Sequence, residues 1–517
     1  MSPSGGEDKI FKAIKAWKNV NWYQAETRIF SLQKRIFAAS ENFDHLKSTR
    51  QPTSKARSKL LSLQRMLVTH PYAKLIAVKH VSEQTRENKT TDLNKIANVA
   101  HTELFDLAKK LHLAEPNKSI RKVENANCQS PKTVRSRISV LRNQAQQCLI
   151  KMALEPTWEA KFKLHEPNVY GFRPNKGSHD ATHALEHALG DSQKYILHVD
   201  LTGFFDNVDH EQLLSKIDCS GNIKEVIQKW LKLDQVKGFP NGFPENVEKA
   251  HRRTFHSNSL SPLLANIALY GLEKAVHDNY ANTLALKYGQ VGETTTANSV
   301  AITEKYTQLT VIRYANDFVA LHPSEEMVKF TEKFVREWLQ KNIGIELADT
   351  QTSIVNSANG FNFLGFTATS VCKSENKVAT KWKTRIRVSK KAKDRLITQV
   401  RQVLSNKSWS QEQIITRLNP IVIRWCSYYC AHECIDDFKQ VEGTIFQMLI
   451  HWVLRRKSKN LNGNRLKAKY FKSTSVTFQG TVHSGNYIFG CEIKEQGQEE
   501  GKKTFIFFPY PSWVKSK

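Results

Sequence analysis

The sequence predicts an α+β chain of several domains, and three observations point there. Apolar residues recur at helical spacing through roughly the first hundred positions. Two apolar strands in the middle each present polar or acidic groups at a turn, and roughly the last sixty residues alternate in the manner of strands. In order, Ile10, Ile14 and Trp17, then Phe30, Leu32, Ile36 and Phe37, mark two amphipathic helices with basic polar faces between about residues 9 and 50. A helix resumes in SKARSKLLSLQRML, with Pro71 at its end or at a kink, and another runs through LNKIANVAHTELFDLAKKLHL. Helical spacing returns from Val134 to Leu154. After Glu166-Pro167 come a turn at Gly171, the helix HDATHALEHAL and the strand YILHVDL, which delivers Asp200. TVIRYANDFVAL reads as a second strand whose turn carries Asn316 and Asp317, followed by the helix EEMVKFTEKFVREWLQK and strand-like GFNFLGFT. Carboxylates brought together by two strands are how a two-metal site is assembled. The helical stretches QEQIITRLNPIVIRWCSYYC and FKQVEGTIFQMLIHWVLRRKSK precede the β-like end, TSVTFQGTV, NYIFGCEI and KTFIFF.

With 77 Lys+Arg against 49 Asp+Glu in 517 residues, the formal charge is +28, which points to a polyanionic partner. Hydrophobic residues at 40% and aromatics at 10% are too many for a disordered or low-complexity chain, so packed cores are expected. No stretch approaches the roughly eighteen uncharged apolar residues of a spanning helix, so no membrane partner is expected. The start, MSPSGGEDKIFKAIKAW, lacks the apolar segment of a secretory leader, and Glu7 and Asp8 argue against a transit peptide. The expected location is intracellular: a bacterial cytoplasm, or the plastid or mitochondrion that makes the protein. Eight cysteines at unpaired spacings suit a reducing compartment. Cys426, Cys430 and Cys434 recur every four residues around His432 in a stretch that reads as helix. Zinc sites favour C-x2-C pairs or a turn between ligands. The three thiols are therefore read as one buried small-residue face of a helix, since free Cys behaves as a small hydrophobe.

Several blocks in order resemble the group II intron-encoded reverse transcriptase/maturase family. IKMALEPTWEAKF, EPNVYGFRPNKGSHDA, HVDLTGFFDNVDH, SLSPLLANIALYGLE, RYANDFVAL and GFNFLGF are similar to its fingers and palm. LNPIVIRWCSYY and IHWVLRRK are similar to its thumb, or X domain, and LQKRIFAAS with YAKLIAVKHV to its N-terminal extension. The resemblance implies a right-hand polymerase-like fold. Its expected parts are a helical, RNA-binding N-terminal extension over 1–95, fingers and palm over 96–370, an α-helical thumb over 371–457, and a small DNA-binding-like appendage over 458–517. No zinc-ligating H-N-H block follows the X domain, so the DNA-cleaving part is expected to be missing.

The resemblance breaks at the chemistry. Two-metal nucleotidyl transfer needs carboxylates holding ions about 3.5–4 Å apart, and the family supplies one Asp in the first block and a pair in Y-A-D-D. Here Asp200 matches the first, but the pair reads Asn316-Asp317, which removes a full negative charge from a hard-cation site. The family's P-Q-G-G-x-I block is replaced by Phe255-His256-Ser257-Asn258-Ser259-Leu260, without the glycines that let the backbone approach a nucleotide. R-P-L-G-I-P is replaced by Val134 to Ser139, with Asn143-Gln144 for the following Asp-Arg, and Lys176 stands for the Arg after G-F-R-P-x. Gln351 takes the place of the E-K-T lysine and cannot donate a proton to pyrophosphate. The apolar scaffold (Gly171-Phe172-Arg173-Pro174, Phe204-Phe205-Asp206-Asn207, Pro262-Leu263-Leu264) is kept. No catalytic set is expected to be intact, and Mg²⁺ at Asp200 and Asp317 is expected to be weak or absent.

Scaffold kept and chemistry lost imply a binding protein that holds structured group II intron RNA in its catalytic fold, promoting splicing, with no cofactor of its own and Mg²⁺ belonging to the RNA. DNA is at most a weak partner, and the oligomeric state stays open. The run KWKTRIRVSKKAKDR has eight basic residues and one acid in fifteen, with Trp382 interleaved, and its Lys381, Lys383, Arg385, Arg387, Lys390, Lys391, Lys393 and Arg395 are the first RNA-contact candidates. Lys12, Lys15, Lys18, Arg28, Lys34 and Arg35 form a second set. Arg424 and the trio Arg455, Arg456 and Lys457, in the stretch that resembles the thumb, are further candidates, although Trp425, Tyr428 and Tyr429 read as thumb core and the trio also suits a helix C-terminus. Two alternatives stay open: an active RNA-directed DNA polymerase of a mobile intron, and a reverse transcriptase-like RNA-binding protein without an intron partner.

Overall fold

The structure, a computed structural model, describes residues 7–87, 99–113, 131–201, 208–232, 260–288, 309–372, 382–406, 408–456, 463–494 and 503–515. The chain divides into two compact units, residues 1–184 with 195–354, and residues 185–194 with 355–517.

The first unit begins with helices α1 (Glu7–Ile14), α2 (Trp22–Ser48), α3 (Ser54–Thr69), α4 (Pro71–Glu87) and α5 (His101–Lys109). Asn21 caps α2 by accepting the Gln24 N–H at 3.0 Å. The helix buries Ala25, Ile29, Leu32, Ile36 and Phe43. Of the apolar positions expected to mark its face, Leu32 and Ile36 are buried, Phe37 is half-buried and Phe30 is exposed, because the buried stripe runs through Ile29 instead. Helix α3 ends at Thr69 with His70 as its cap, so Pro71 marks its end as expected, and the same proline opens α4 at the first helical position, where a missing N–H costs nothing. The long α6 (Pro131–His165) extends beyond the expected Leu154 because it tolerates Pro156. Proline removes the N–H that would bond the Met152 carbonyl four residues back. Gln33 of α2 takes up that carbonyl, its Nε2 donating at 3.1 Å. Ser40 Oγ donates to the Thr157 carbonyl one residue past the proline, again at 3.1 Å.

Beyond α7 (Ser178–Leu189), strands β1 (Tyr195–Asp200), β2 (Thr310–Tyr314), β3 (Asp317–His322) and β4 (Thr352–Asn356) form a sheet in the order β2-β3-β1-β4. TVIRYANDFVAL is thus a hairpin of two strands, with Tyr314 opposite Asp317 across a tight turn. Helices α8 (His210–Lys216), α9 (Gly221–Lys232), α10 (Ser261–Ala268), α11 (Leu272–Tyr288) and α12 (Glu325–Ile343) belong to this unit. Trp158, Phe162 and Trp230 lie in its core.

In the second unit β5 (Phe361–Phe363), β6 (Phe366–Cys372) and β7 (Trp382–Val388) make an antiparallel sheet. The β5–β6 turn passes through Gly365 at φ 85°, where a Cβ would lie 2.5 Å from Tyr429 Oη, so only glycine fits. Helices α13 (Lys390–Ser405), α14 (Gln411–Tyr429) and α15 (Ile435–Leu454) follow. They bury Leu396, Val400, Leu418, Val422, Ile445 and Leu449, and Trp425, Tyr428 and Tyr429 are core residues as expected. The cysteine reading needs correction. Helix α14 stops at Tyr429, so Cys430 caps its end and Cys434 precedes α15. The three thiols share no helical face, because the chain turns between them. Cys426 and Cys434 are buried, and burial pushes Cys434 up to about 12. The end of the chain is α16 (Gly463–Tyr470) and a sheet of β8 (Phe471–Phe478), β9 (Thr481–Lys494) and β10 (Lys503–Phe507) in the order β10-β9-β8. Gln411 Nε2 ties α14 to the end of α16 through the Tyr470 carbonyl (2.8 Å) and to β9 through the Gly490 carbonyl (3.1 Å). Among the described residues, no helix is long and apolar enough to cross a membrane.

Candidate functional site

The candidate site grows from one strand pairing. In the β1–β3 ladder Asp200 stands directly opposite Asp317, so both carboxylates leave the same face of the sheet. The β2–β3 turn carries Ala315 at φ 59° and Asn316. A Cβ on Gly171 would lie 2.2 Å from Ala315 N, so glycine lets the EPNVYGFRP segment press against that turn. The segment runs alongside β2, with Arg313 N donating to the Asn168 carbonyl (3.0 Å) and Tyr170 N to the Arg313 carbonyl (2.8 Å).

A buried polar network fixes this arrangement. Arg313 Nη1 donates to Asn266 Oδ1 (3.0 Å) and to the Ala315 carbonyl (3.1 Å), and its Nη2 lies 3.9 Å from Glu166 Oε2. Asn266 Nδ2 in turn donates to the Gly171 carbonyl at 2.8 Å. Glu166 Oε1 accepts the Gly271 (2.7 Å) and Glu273 (3.2 Å) N–H groups. Burial, reinforced by Glu166, pushes Glu273 up to about 8 against the pull of Arg313. Arg173 forks onto Glu159 at 3.1–3.2 Å and donates to the Val169 carbonyl at 2.8 Å. The EPNVYGFRP, SPLLANI and RYAND blocks thus meet in the interior, which is why they stay legible.

The atoms that would face a metal are differently engaged. Asn316 Nδ2 donates to the Leu201 carbonyl at 3.2 Å, and Leu201 N donates to the Asn316 carbonyl at 3.1 Å, so this residue knits the turn to the end of β1. His198, on the same face of β1 as Asp200, puts Nε2 2.6 Å from Asp317 Oδ1. Burial opposes a charge on His198, but the hydrogen bond and charge of Asp317, with the charge of Asp200, outweigh it and hold the imidazole above its ordinary pKa. His198, Asp200 and Asp317 do not form a group with one ligand atom each within 4.8 Å of one another. One carboxylate bonded to an imidazole, a neutral amide tied to the backbone and one further Asp do not fit a two-Mg²⁺ centre. Gln351 closes a 3₁₀ turn, its Oε1 accepting the Ala348 N–H at 2.9 Å. His256, with the rest of Phe255–Ser259, lies outside the described residues, as do Phe204–Asn207, Lys381, Lys457 and the side chains of residues 134–137.

The basic candidates separate into exposed cations and structural ones. Lys12, Lys15, Lys18, Arg28, Lys34 and Arg35 are all exposed on α1, α2 and the turn between them. Tyr23 and Phe30, 82% and 58% exposed, interleave with them, and Lys34 Nζ lies 4.6 Å from the Phe30 ring centre. The KWKTRIRVSKKAKDR run splits between a strand and a helix. β7 alternates, placing Lys383, Arg385 and Arg387 on one face and burying Thr384, Ile386 and Val388 on the other. Arg387 pairs with Asp436 at 2.7 Å. Lys393 is held at 2.9 Å by both Asp437 and Gln440, and Asp437 also accepts the Val388 N–H, so Lys393 serves the β7–α13 junction. Lys390 and Lys391 are exposed in the first turn of α13, and Arg395 is half-buried on the same helix. Arg424 and Arg455 are exposed. Arg456 stacks 4.1 Å from the Trp452 ring centre and donates to the Trp409 carbonyl, a packing role.

Comparison with known sequences gives three matches in chain order: the N-terminal domain of reverse transcriptase over residues 17–111, the reverse transcriptase (RNA-dependent DNA polymerase) over 120–368, and the group II intron maturase-specific domain over 393–471. The chain belongs to the group II intron-encoded reverse transcriptase/maturase family. Its fold is accordingly the α+β, right-hand reverse transcriptase fold. The chain is 24% identical to maturase-like protein 1 of Euglena gracilis, over 81% of this chain and 79% of that one. Its Euglena longa counterpart is 23% identical over 82% and 80%. A group II intron-encoded protein of Lactococcus lactis is 24% identical over 42% and 41%. Within this family frame, His198 and the Glu166–Arg313–Glu273 network are the residues that sequence reasoning missed. The signal for His198 was its place two positions before Asp200 in HVDL, on one strand face.

Proposed function

We propose that the chain is a maturase that binds structured group II intron RNA, stabilises its catalytic fold and so promotes splicing, and that it no longer copies RNA into DNA. The observation that carries the reading is the start of α13. Cations in a first helical turn oppose the helix dipole at a cost of about 0.3–1 kcal/mol each. Lys390 and Lys391 sit there, exposed, and Lys383 and Arg385 on the preceding strand are exposed as well. Folding gains nothing from that placement, whereas a phosphate backbone does, because it meets both the lysines and the positive end of the helix. Exposed Tyr23 and Phe30 among the α1–α2 cations suit unpaired bases in the same way. Asn316 tied to backbone and Asp317 tied to His198 support the loss of polymerisation. The RNA supplies the splicing chemistry and the Mg²⁺. Crosslinking the chain to RNA in its source cells and sequencing the recovered RNA tests the partner: enrichment of one or a few group II introns is expected, and an even scatter over transcripts would refute it.

A further inference from the structure

Asp200 and Asp317 pair directly across β1 and β3, and His198 pairs with Val319 two positions along the same ladder. All four side chains therefore leave one face of the sheet. From that position the imidazole crosses the ladder diagonally to Asp317 Oδ1 at 2.6 Å, with the two side chains 28% and 14% exposed. A cation bridging the strands needs carboxylate oxygen from both of them, and β3 offers only Asp317, because Asn316 is neutral and donates its Nδ2 hydrogen to the Leu201 carbonyl.

We propose that His198 is a latch on Asp317 that bars a divalent cation from the palm independently of Asn316. A hydrogen bond to a carboxylate is stronger in a half-buried site than in water, so an incoming ion would have to break it before gaining the oxygen. Restoring an aspartate at 316 would then return a charge without opening the site. Two separate locks, one of charge and one of occupancy, hold the palm closed.

The test is Mn²⁺ binding by the full chain, followed by electron paramagnetic resonance of the free ion at one fixed pH and ionic strength. The proteins are the natural chain, Asn316→Asp, and Asn316→Asp combined with His198→Val. Valine suits the strand and the cross-strand Val319 neighbour. Asn316→Asp combined with His198→Asn is the second route should the valine protein fail to fold. The natural chain and Asn316→Asp should bind Mn²⁺ equally weakly, and the double variants should gain a site tighter by about tenfold or more. The proposal is overturned if Asn316→Asp alone gains that site, or if a double variant with an unchanged circular dichroism spectrum gains nothing. This inference concerns the palm alone, so its failure would leave the RNA reading untouched, and an unenriched crosslinking result would leave the latch untouched.

Discussion

Replacing Lys390 and Lys391 by alanine should loosen RNA without loosening the fold. Both are exposed at the N-terminus of α13, where removing a cation relieves the dipole by about 0.3–1 kcal/mol, so the variant should melt at or slightly above the natural temperature. Each phosphate contact adds about 0.7–0.9 to the slope of log K against log salt, and losing two should flatten it by about 1.4–1.8. Carried to about 0.1 M salt, that difference is roughly 25- to 60-fold in affinity. Lys393→Ala is the internal control. Its amine satisfies the buried Asp437, so its loss should cost about 1–3 kcal/mol of thumb stability while leaving the salt slope alone. Fluorescence anisotropy with a structured intron RNA at four or more salt concentrations, beside thermal melts, reads both quantities. An unchanged slope in the Lys390/Lys391 variant, or an equal flattening in Lys393→Ala, would refute the division of this run into contacting and structural cations.

Gln33→Leu should destabilise the first unit by about 1–3 kcal/mol, because the Met152 carbonyl freed by Pro156 loses its donor; urea unfolding measures it. Glu273 is raised from 4.5 to about 8 in the folded state, so the folded chain holds a proton that the unfolded chain has released. Its contribution is complete below pH 4.5 and is lost as pH rises through about 8, a slope of order 1 kcal/mol per pH unit at most. Glu273→Gln should flatten that slope between pH 5 and 8 in melting experiments, and an unaltered slope would place the titration elsewhere. Asn316→Asp alone should leave primer extension on an RNA template at background with Mg²⁺ or Mn²⁺, since Asp317 stays bonded to His198; cDNA above background would contradict this.

Periodicity located α2, α3, α7, α12, α14 and α15, the body of α6, and the strands that bear Asp200 and Asp317, because those patterns follow from burying one face, whereas α8, α9, α11, α13 and α16 were not marked by it. It could not see that Pro156 lies inside a helix, since the compensation comes from Gln33, more than a hundred positions away. It placed Cys426, Cys430 and Cys434 on one helix for a related reason: the turn between α14 and α15 contains neither Gly nor Pro to announce it. At the site, the missing charge at Asn316 was legible from one letter. The engagement of Asp317 was not, because it depends on the register of two strands separated by over a hundred residues. Charge density flagged the basic run, but only the fold separates Lys393 and Arg387, which face Asp437 and Asp436, from Lys390 and Lys391.

The most direct test is intron splicing at limiting Mg²⁺. An intron recovered by crosslinking is transcribed with its exons and incubated with or without the purified chain over a Mg²⁺ series. A protein that binds the folded RNA in preference to the unfolded shifts the folding equilibrium by its binding free energy. The midpoint Mg²⁺ concentration for splicing should therefore fall when the chain is added, and fall less with the Lys390/Lys391 variant. An identical Mg²⁺ midpoint with and without the natural chain, at concentrations where it binds that RNA, would contradict the maturase reading.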